Sequence, residues 1–231
     1  MIRIRAFRAP QDPVACDKFI AGHRKILEIY YGIINITSDT NEWVTDPDCI
    51  IIVAEDTETN TIYGGARLQV VNGKHPLPIE SAIMKYDPGI VSLVKHEHEH
   101  GGTSEVCGLW NSKEVAGMGI GSHILSLVGV AVSYQLGIKS IFVLCAPSTI
   151  KVSKSMGTKI VTSLGKNGTF YYPKDNFIAT VMKLDDVNDL STADENIASK
   201  IIHLKNNPDC IYQEKGPKGL YDALYDIKID K

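Results

Sequence analysis

Apolar and polar residues alternate at the start of the chain. Ile2, Ile4 and Ala6 face one way and Arg3, Arg5 and Phe7 the other, the period of a strand with one solvated face. Asp12-Pro13 then supplies an N-cap and a first-turn proline, and Phe19, Ile20, His23, Ile26, Leu27 and Tyr30 follow at helical spacing. This predicts a helix that Gly32 ends. Residues 33–48, with Trp43 and Pro47, lack a sustained period and read as an irregular or partly helical flap. Residues 49–54 and 61–71 predict two strands joined by a turn at 56–60, an antiparallel hairpin in which Gly64-Gly65 marks a bulge or a close backbone approach. Residues 72–102 carry three prolines and few periodic apolar positions. They read as a long loop with one helical turn around 81–84.

The pattern with most chemistry spans 105–144. An apolar strand at 105–111 leads to Gly117-Met118-Gly119-Ile120-Gly121-Ser122, then a helix-patterned segment to Leu136, Gly137, and a β-branched run at 141–144. Three alternate glycines at a helix entrance leave the first backbone N–H groups uncovered, at the end where the helix dipole favours an anion. This predicts a phosphate cradle built from backbone. Residues 147–156 predict a short helix closed by Gly157, 169–172 and 177–184 two strands of hairpin character, and 191–206 a helix started by Ser191, Thr192, Asp194 and Glu195. The repeated Leu-Tyr-Asp at 220–222 and 224–226 suggests no chemistry. The order β-α-β-β-loop-β-α-β-α-β-β-α implies an α+β or mixed sheet, not a doubly wound domain.

Composition narrows the function classes. A chain of 231 residues admits one large domain or a domain with an appendage, and a net charge of -3 gives no electrostatic argument for nucleic acid or an anionic membrane. The five cysteines are scattered, with no Cys-x-x-Cys pair, so reduced thiols are expected rather than a disulfide framework or a zinc ribbon. With no signal-peptide pattern and no apolar run long enough to span a membrane, the expected location is cytoplasmic.

The strand, glycine loop, helix and strand at 105–144 resemble motif A of the GCN5-related N-acetyltransferase (GNAT) superfamily. Arg24, Asp48, Gly65-Ala66-Arg67-Leu68 and Glu105 make the preceding stretch similar to the branch of acyl-homoserine-lactone synthases and N-acyl amino acid synthases. The chain departs from that pattern at Ala116, where the family often has arginine, and at Cys107 and Gly108, where the lactone synthases read Ser-Arg. The resemblance covers 1–184, an acyltransferase domain, and leaves 185–231 as a C-terminal helical appendage. It implies a mostly antiparallel α+β sheet with one splayed parallel pair and helices on both faces.

The resemblance further implies acetyl-CoA or another acyl-CoA as donor, held at Leu109, Trp110, Asn111, Gly117, Met118, Gly119, Ile120, Gly121 and Ser122, with Lys113 or His123 replacing the arginine contact. A small-molecule amine would attack the thioester directly, with Glu105 as base and an N–H near Cys107 or Gly108 stabilising the oxyanion. Arg24 and Arg67 would hold an acceptor carboxylate or phosphate, or else pair with Asp46, Asp48 or Glu105. The family's thiolate-protonating tyrosine falls at Ser153, leaving Tyr171 or Tyr172 as donor, or unassisted departure. The leading expectation is acetyl transfer. Alternatives are a long-chain N-acyl amino acid or autoinducer-type synthase fed by acyl-CoA or acyl carrier protein, an acyl-CoA sensor without catalysis, and a dinucleotide-binding loop, for which the spacing at Ser122 is wrong. A homodimer is left open. No metal is expected, although His96, His98 and His100 would share one side of an extended strand, and Cys107 reads as a buried thiol more readily than as a nucleophile.

Overall fold

The inward alternation at the amino terminus forms strand β1 (Ile2–Arg8), with Ile2, Ile4 and Ala6 buried on one face. Our computed structural model describes residues 1–34, 41–113, 120–216 and 219–230. Helix α1 (Pro13–Tyr31) starts where Asp12 accepts from the Ala15 N–H at 2.9 Å and ends at Gly32, whose φ of 57° turns the chain so that the Ile33 N–H reaches the Leu27 carbonyl. Strands β2 (Cys49–Asp56) and β3 (Ile62–Val70) pair antiparallel, as the hairpin pattern predicts. The glycines in β3 mark close approaches: a Cβ on Gly65 would lie 2.6 Å from the Phe19 ring, and one on Gly64 2.8 Å from the Trp110 carbonyl oxygen.

Strands β4 (Thr103–Asn111), β5 (Ser140–Cys145), β6 (Lys159–Ile160), β7 (Thr169–Tyr171), β8 (Ile178–Leu184), β9 (Asp209–Gly216) and β10 (Gly219–Asp226) complete one sheet of order β6-β8-β5-β4-β3-β2-β1-β10-β9, with β7 on β8. Only β4 with β5 and β1 with β10 pair parallel among the described strands. Even positions of β2 (Ile50, Ile52, Ala54) pack against α4 (Ser122–Gln135), in one cluster with residues of α6 (Glu195–Asn206), and odd ones (Ile51, Val53) lie in the cluster of α1. Helix α4 is apolar nearly all round, with Leu125, Leu127, Val128, Ala131 and Val132 fully buried, because it lies between the sheet and α6.

Three parts depart from the sequence expectation. Residues 72–102 contain α2 (Pro78–Ile83) and α3 (Gly89–Glu99) where a long loop with one helical turn around 81–84 was expected. Pro78 occupies N1 and Pro88 the N-cap, where the missing N–H costs nothing, while Ile79, Ile83, Ile90 and Val94 bury against Phe142 and Val181. Helical spacing then stacks His96 on His100, ring centroids 4.0 Å apart, and turns His98 away, so the extended three-histidine arrangement does not form. Among the described residues no group of three His, Cys, Asp or Glu side chains could hold a metal. Finally, 185–231 holds more than the expected helix. After α6, the hairpin β9–β10 continues the sheet beside β1 and carries both Leu-Tyr-Asp repeats in β10. Lys200 of α6 pairs with Glu214, which also accepts from the Tyr225 hydroxyl.

Helix α1 is fixed on the sheet through Gly22, where a Cβ would fall 2.1 Å from the Trp110 ring. Gly-to-Ala in a helix interior normally stabilises; here overpacking reverses the sign. Gly22→Ala is expected to cost about 1–3 kcal/mol, lowering the thermal midpoint by about 2–4 °C per kcal/mol, whereas an unchanged or higher midpoint contradicts this packing.

Candidate active site

The parallel pair β4 and β5 makes few ladder partners. Thr103, Ser104 and Glu105 face Ser140, Ile141 and Phe142, and beyond these the strands diverge although each continues, to Asn111 and to Cys145. Divergence coincides with a bulge in β4. Cys107 partners Arg67 and Trp110 partners Gly65, so Gly108 and Leu109 together oppose the single residue Ala66. Gly108 has φ of 61°, and a Cβ there would meet the Phe19 ring at 3.0 Å. Such a bulge interrupts the regular pairing of β4 with β3 at Gly108 and Leu109, beside the gap.

A cavity of about 230 Å³ fills that gap and opens to both faces of the sheet. On the α1 face it is lined by His23, Leu27, Tyr31, Glu105 and Tyr172; on the α4 face by Val106, Val130, Ile141, Val143 and Met156. Glu105 is 2% exposed, and its Oε2 accepts from the Ile79 N–H at 2.7 Å. Burial pushes its carboxyl up to about 8, against the Ile79 hydrogen bond and the Arg67 charge. Burial likewise pushes the Cys107 thiol up to about 11, which makes it a poor nucleophile near neutrality.

The remaining expected residues divide by position. Leu109 lines the cavity from the α4 face, while Trp110 turns to the α1 face and packs on Phe19, ring centroids 6.5 Å apart, away from the gap. At the entrance of α4, the Asn111 amide with its oxygen toward the helix accepts from the Ser122 N–H at 3.0 Å and donates to the Trp110 carbonyl. Gly121 is the N-cap of that helix, and the Ile120 side chain is buried in the core. Gly117, Met118, Gly119 and Ala116 lie outside the described residues. His123 faces Lys200, Glu214 and Asp194, and burial first, then Lys200, lowers its pKa. Lys113 sits 5.1 Å above the Tyr30 ring.

Neither arginine lines the cavity. Arg24 is exposed on α1, and Arg67 is buried, 4.8 Å from the Trp43 ring centroid, with its Nε donating to Cys107 Sγ at 3.3 Å. Asp46 and Asp48 both accept from the Asn72 amide. Ser153 lines the cavity 2.7 Å from the Thr158 hydroxyl; Tyr172 lines it too, and Tyr171 is 61% exposed. His23 was missing from the expected site. Its only sequence signal is its place four residues after Phe19 on the buried stripe of α1, where a histidine reads as core.

Solved structures with the same arrangement decide what fold this is. FeeM, an N-acyl amino acid synthase from uncultured soil microbes, matches with a TM-score of 0.62 at 15% identity, over 87% of this chain and 98% of its own. Escherichia coli ElaA matches at 0.53 and 11%, over 79% of this chain and 99% of its own. The fold is that of the GNAT N-acyltransferases. BjaI, a CoA-dependent acyl-homoserine lactone synthase solved with SAM and isopentyl-CoA, shares it at a TM-score of 0.50 and 13% identity, covering 89% of this chain and 90% of its own. No family model and no curated protein sequence matches the chain. Within the GNAT fold the diverging pair is β4 and β5, and the segment 185–231 lengthens the sheet at the opposite side.

Proposed function

We propose that this protein is an N-acyltransferase that moves an acyl group from a coenzyme A-type thioester to a small-molecule amine in the gap between β4 and β5. The carrying observation is the cavity that passes through the sheet at that gap, with Glu105 on one face and an apolar chamber on the other. The amine nitrogen attacks the thioester carbonyl carbon, its proton passes to Glu105, and the oxyanion is held by an N–H of the bulge at Gly108 and Leu109. As the C–S bond breaks, the sulfur leaves with the electron pair and takes its proton from Tyr172, the tyrosine of the 171–172 pair that lines the cavity. Asn111, Gly121 and Ser122, with Gly117 to Gly119 before them, are the proposed pyrophosphate end. Free thiols at all five cysteines fit action in the cytoplasm, and among the described residues no helix is long and apolar enough to cross a membrane.

Chamber size favours a donor longer than acetyl. A single water needs only about 10–15 Å³ of such space; the whole cavity holds about 230 Å³, and its α4-face part reaches Val130, Ile141 and Met156. A series of CoA thioesters from two to twelve carbons, read by thiol release, tests it. Each buried methylene contributes about 0.8 kcal/mol, so kcat/KM is expected to rise at least about tenfold from acetyl to the eight-carbon donor. Val130→Phe, which fills the chamber, is expected to remove that rise and keep acetyl turnover. Acetyl as the best donor for the native protein contradicts the long-chain reading.

A further inference from the structure

The charge inside the cavity bears on what the acceptor is. Among the described residues that line it, Glu105 is the only acid and none is a lysine or arginine. The segments 35–40 and 114–119 contain no lysine, arginine or histidine in their sequence. The Arg67 guanidinium is held between the Cys107 thiol and the Trp43 ring. At the rim, Lys174 Nζ donates to the Tyr31 carbonyl at 2.6 Å and is exposed. On the α1 face the walls are apolar and aromatic, with Tyr31 edge-on to Phe177 at a centroid distance of 5.6 Å beside Leu27 and Ile33.

We infer that the acceptor is an aromatic or alkyl amine without a carboxylate. The inference rests on the N-acyl transfer proposed above and narrows its acceptor class. An amine approaching Glu105 meets a complementary charge, and its apolar body is covered by Leu27, Ile33, Tyr31 and Phe177. An amino acid brings a carboxylate as well. Inside this cavity that group would lose its water and gain no cation from the lining except His23, when His23 is protonated, so its desolvation would be poorly repaid. A site of this composition selects against the carboxylate by leaving it unpaired.

Matched pairs test this: tyramine against tyrosine, and phenethylamine against phenylalanine, each with decanoyl-CoA and the full-length protein. Thiol release above the amine-free rate gives kcat/KM, and mass spectrometry of the amide confirms the product. We expect the amine of each pair to be preferred by at least about tenfold, the discrimination of a single unpaired polar group. Parity, or preference for the amino acid, overturns the inference and leaves N-acyl transfer standing. Amine-dependent thiol release with neither class overturns the transfer reading itself, and the inference with it.

Discussion

Glu105→Gln lowers kcat/KM by about 10²–10⁴-fold, the usual contribution of a positioned general base. The glutamine keeps an oxygen to accept from the Ile79 N–H, so the lost function is proton transfer and not the tie between β4 and α2. With the carboxyl pushed up to about 8, wild-type kcat/KM climbs with pH through that value as the carboxylate form fills. The variant's residual rate lacks this limb. A profile unchanged by Glu105→Gln would remove Glu105 from the chemistry.

The same substitution has an opposite sign in stability. A carboxyl raised in the folded state holds its proton there longer than in the unfolded chain, so the native protein loses stability as pH rises from about 4.5 to about 8. Glu105→Gln carries no such penalty. At pH 8 it is expected to melt above the wild type by at least about 2–4 °C, the shift of 1 kcal/mol in a chain of this size, and the difference should vanish below pH 4.5. Gain of stability with loss of activity marks a carboxyl retained for function at a cost to the fold.

Gly108→Ala tests the bulge. An L-residue at φ of 61° costs about 1–2 kcal/mol, and the new Cβ meets Phe19 at 3.0 Å. The larger expected effect is on catalysis. Displacing an oxyanion donor costs about 10²–10³-fold in kcat, measured on folded protein below its melting transition. Gly65→Ala is the control, because its Cβ presses on the same Phe19 ring, at 2.6 Å, from β3 rather than from the bulge. It is expected to lose stability and keep kcat within about tenfold, short of the loss of an oxyanion donor. Equal losses in the two variants would assign both to packing.

Local signals account for what could be read without the structure. Alternation in β1, the Asp12-Pro13 start and Gly32 end of α1, and the hairpin turn at 56–60 each act within a few residues. They formed as expected, except that the face of β1 expected to be solvated is covered at Phe7, which is buried with α1. Helix α3 escaped notice, and α2 was expected only as one turn around 81–84, because Pro78 and Pro88 read as breakers until their places at N1 and N-cap are known. The place of the β9–β10 hairpin in the sheet escaped because it joins through β1, more than two hundred residues away, and no local pattern announces a parallel pairing.

Within the site, Glu105 and Leu109 reach the cavity, but Trp110 does not, and the reason is one residue of strand. The extra residue at Gly108 inverts the alternation, sending Leu109 to the face of Val106 and Trp110 to the face of Glu105 and Cys107. Arg24 and Arg67 look alike in sequence as acceptor ligands. Their surroundings separate them, one exposed on α1 and the other held between Trp43 and Cys107.

The central claim is that the β4–β5 gap holds the thioester. A crystal structure with a non-hydrolysable decanoyl-CoA analogue measures this most directly. The account predicts the carbonyl oxygen within roughly 2.7–3.1 Å of an N–H of Gly108 or Leu109, and the acyl chain running past Val130 toward Met156. An analogue bound with its carbonyl elsewhere, and the gap closed by side chains, would contradict it.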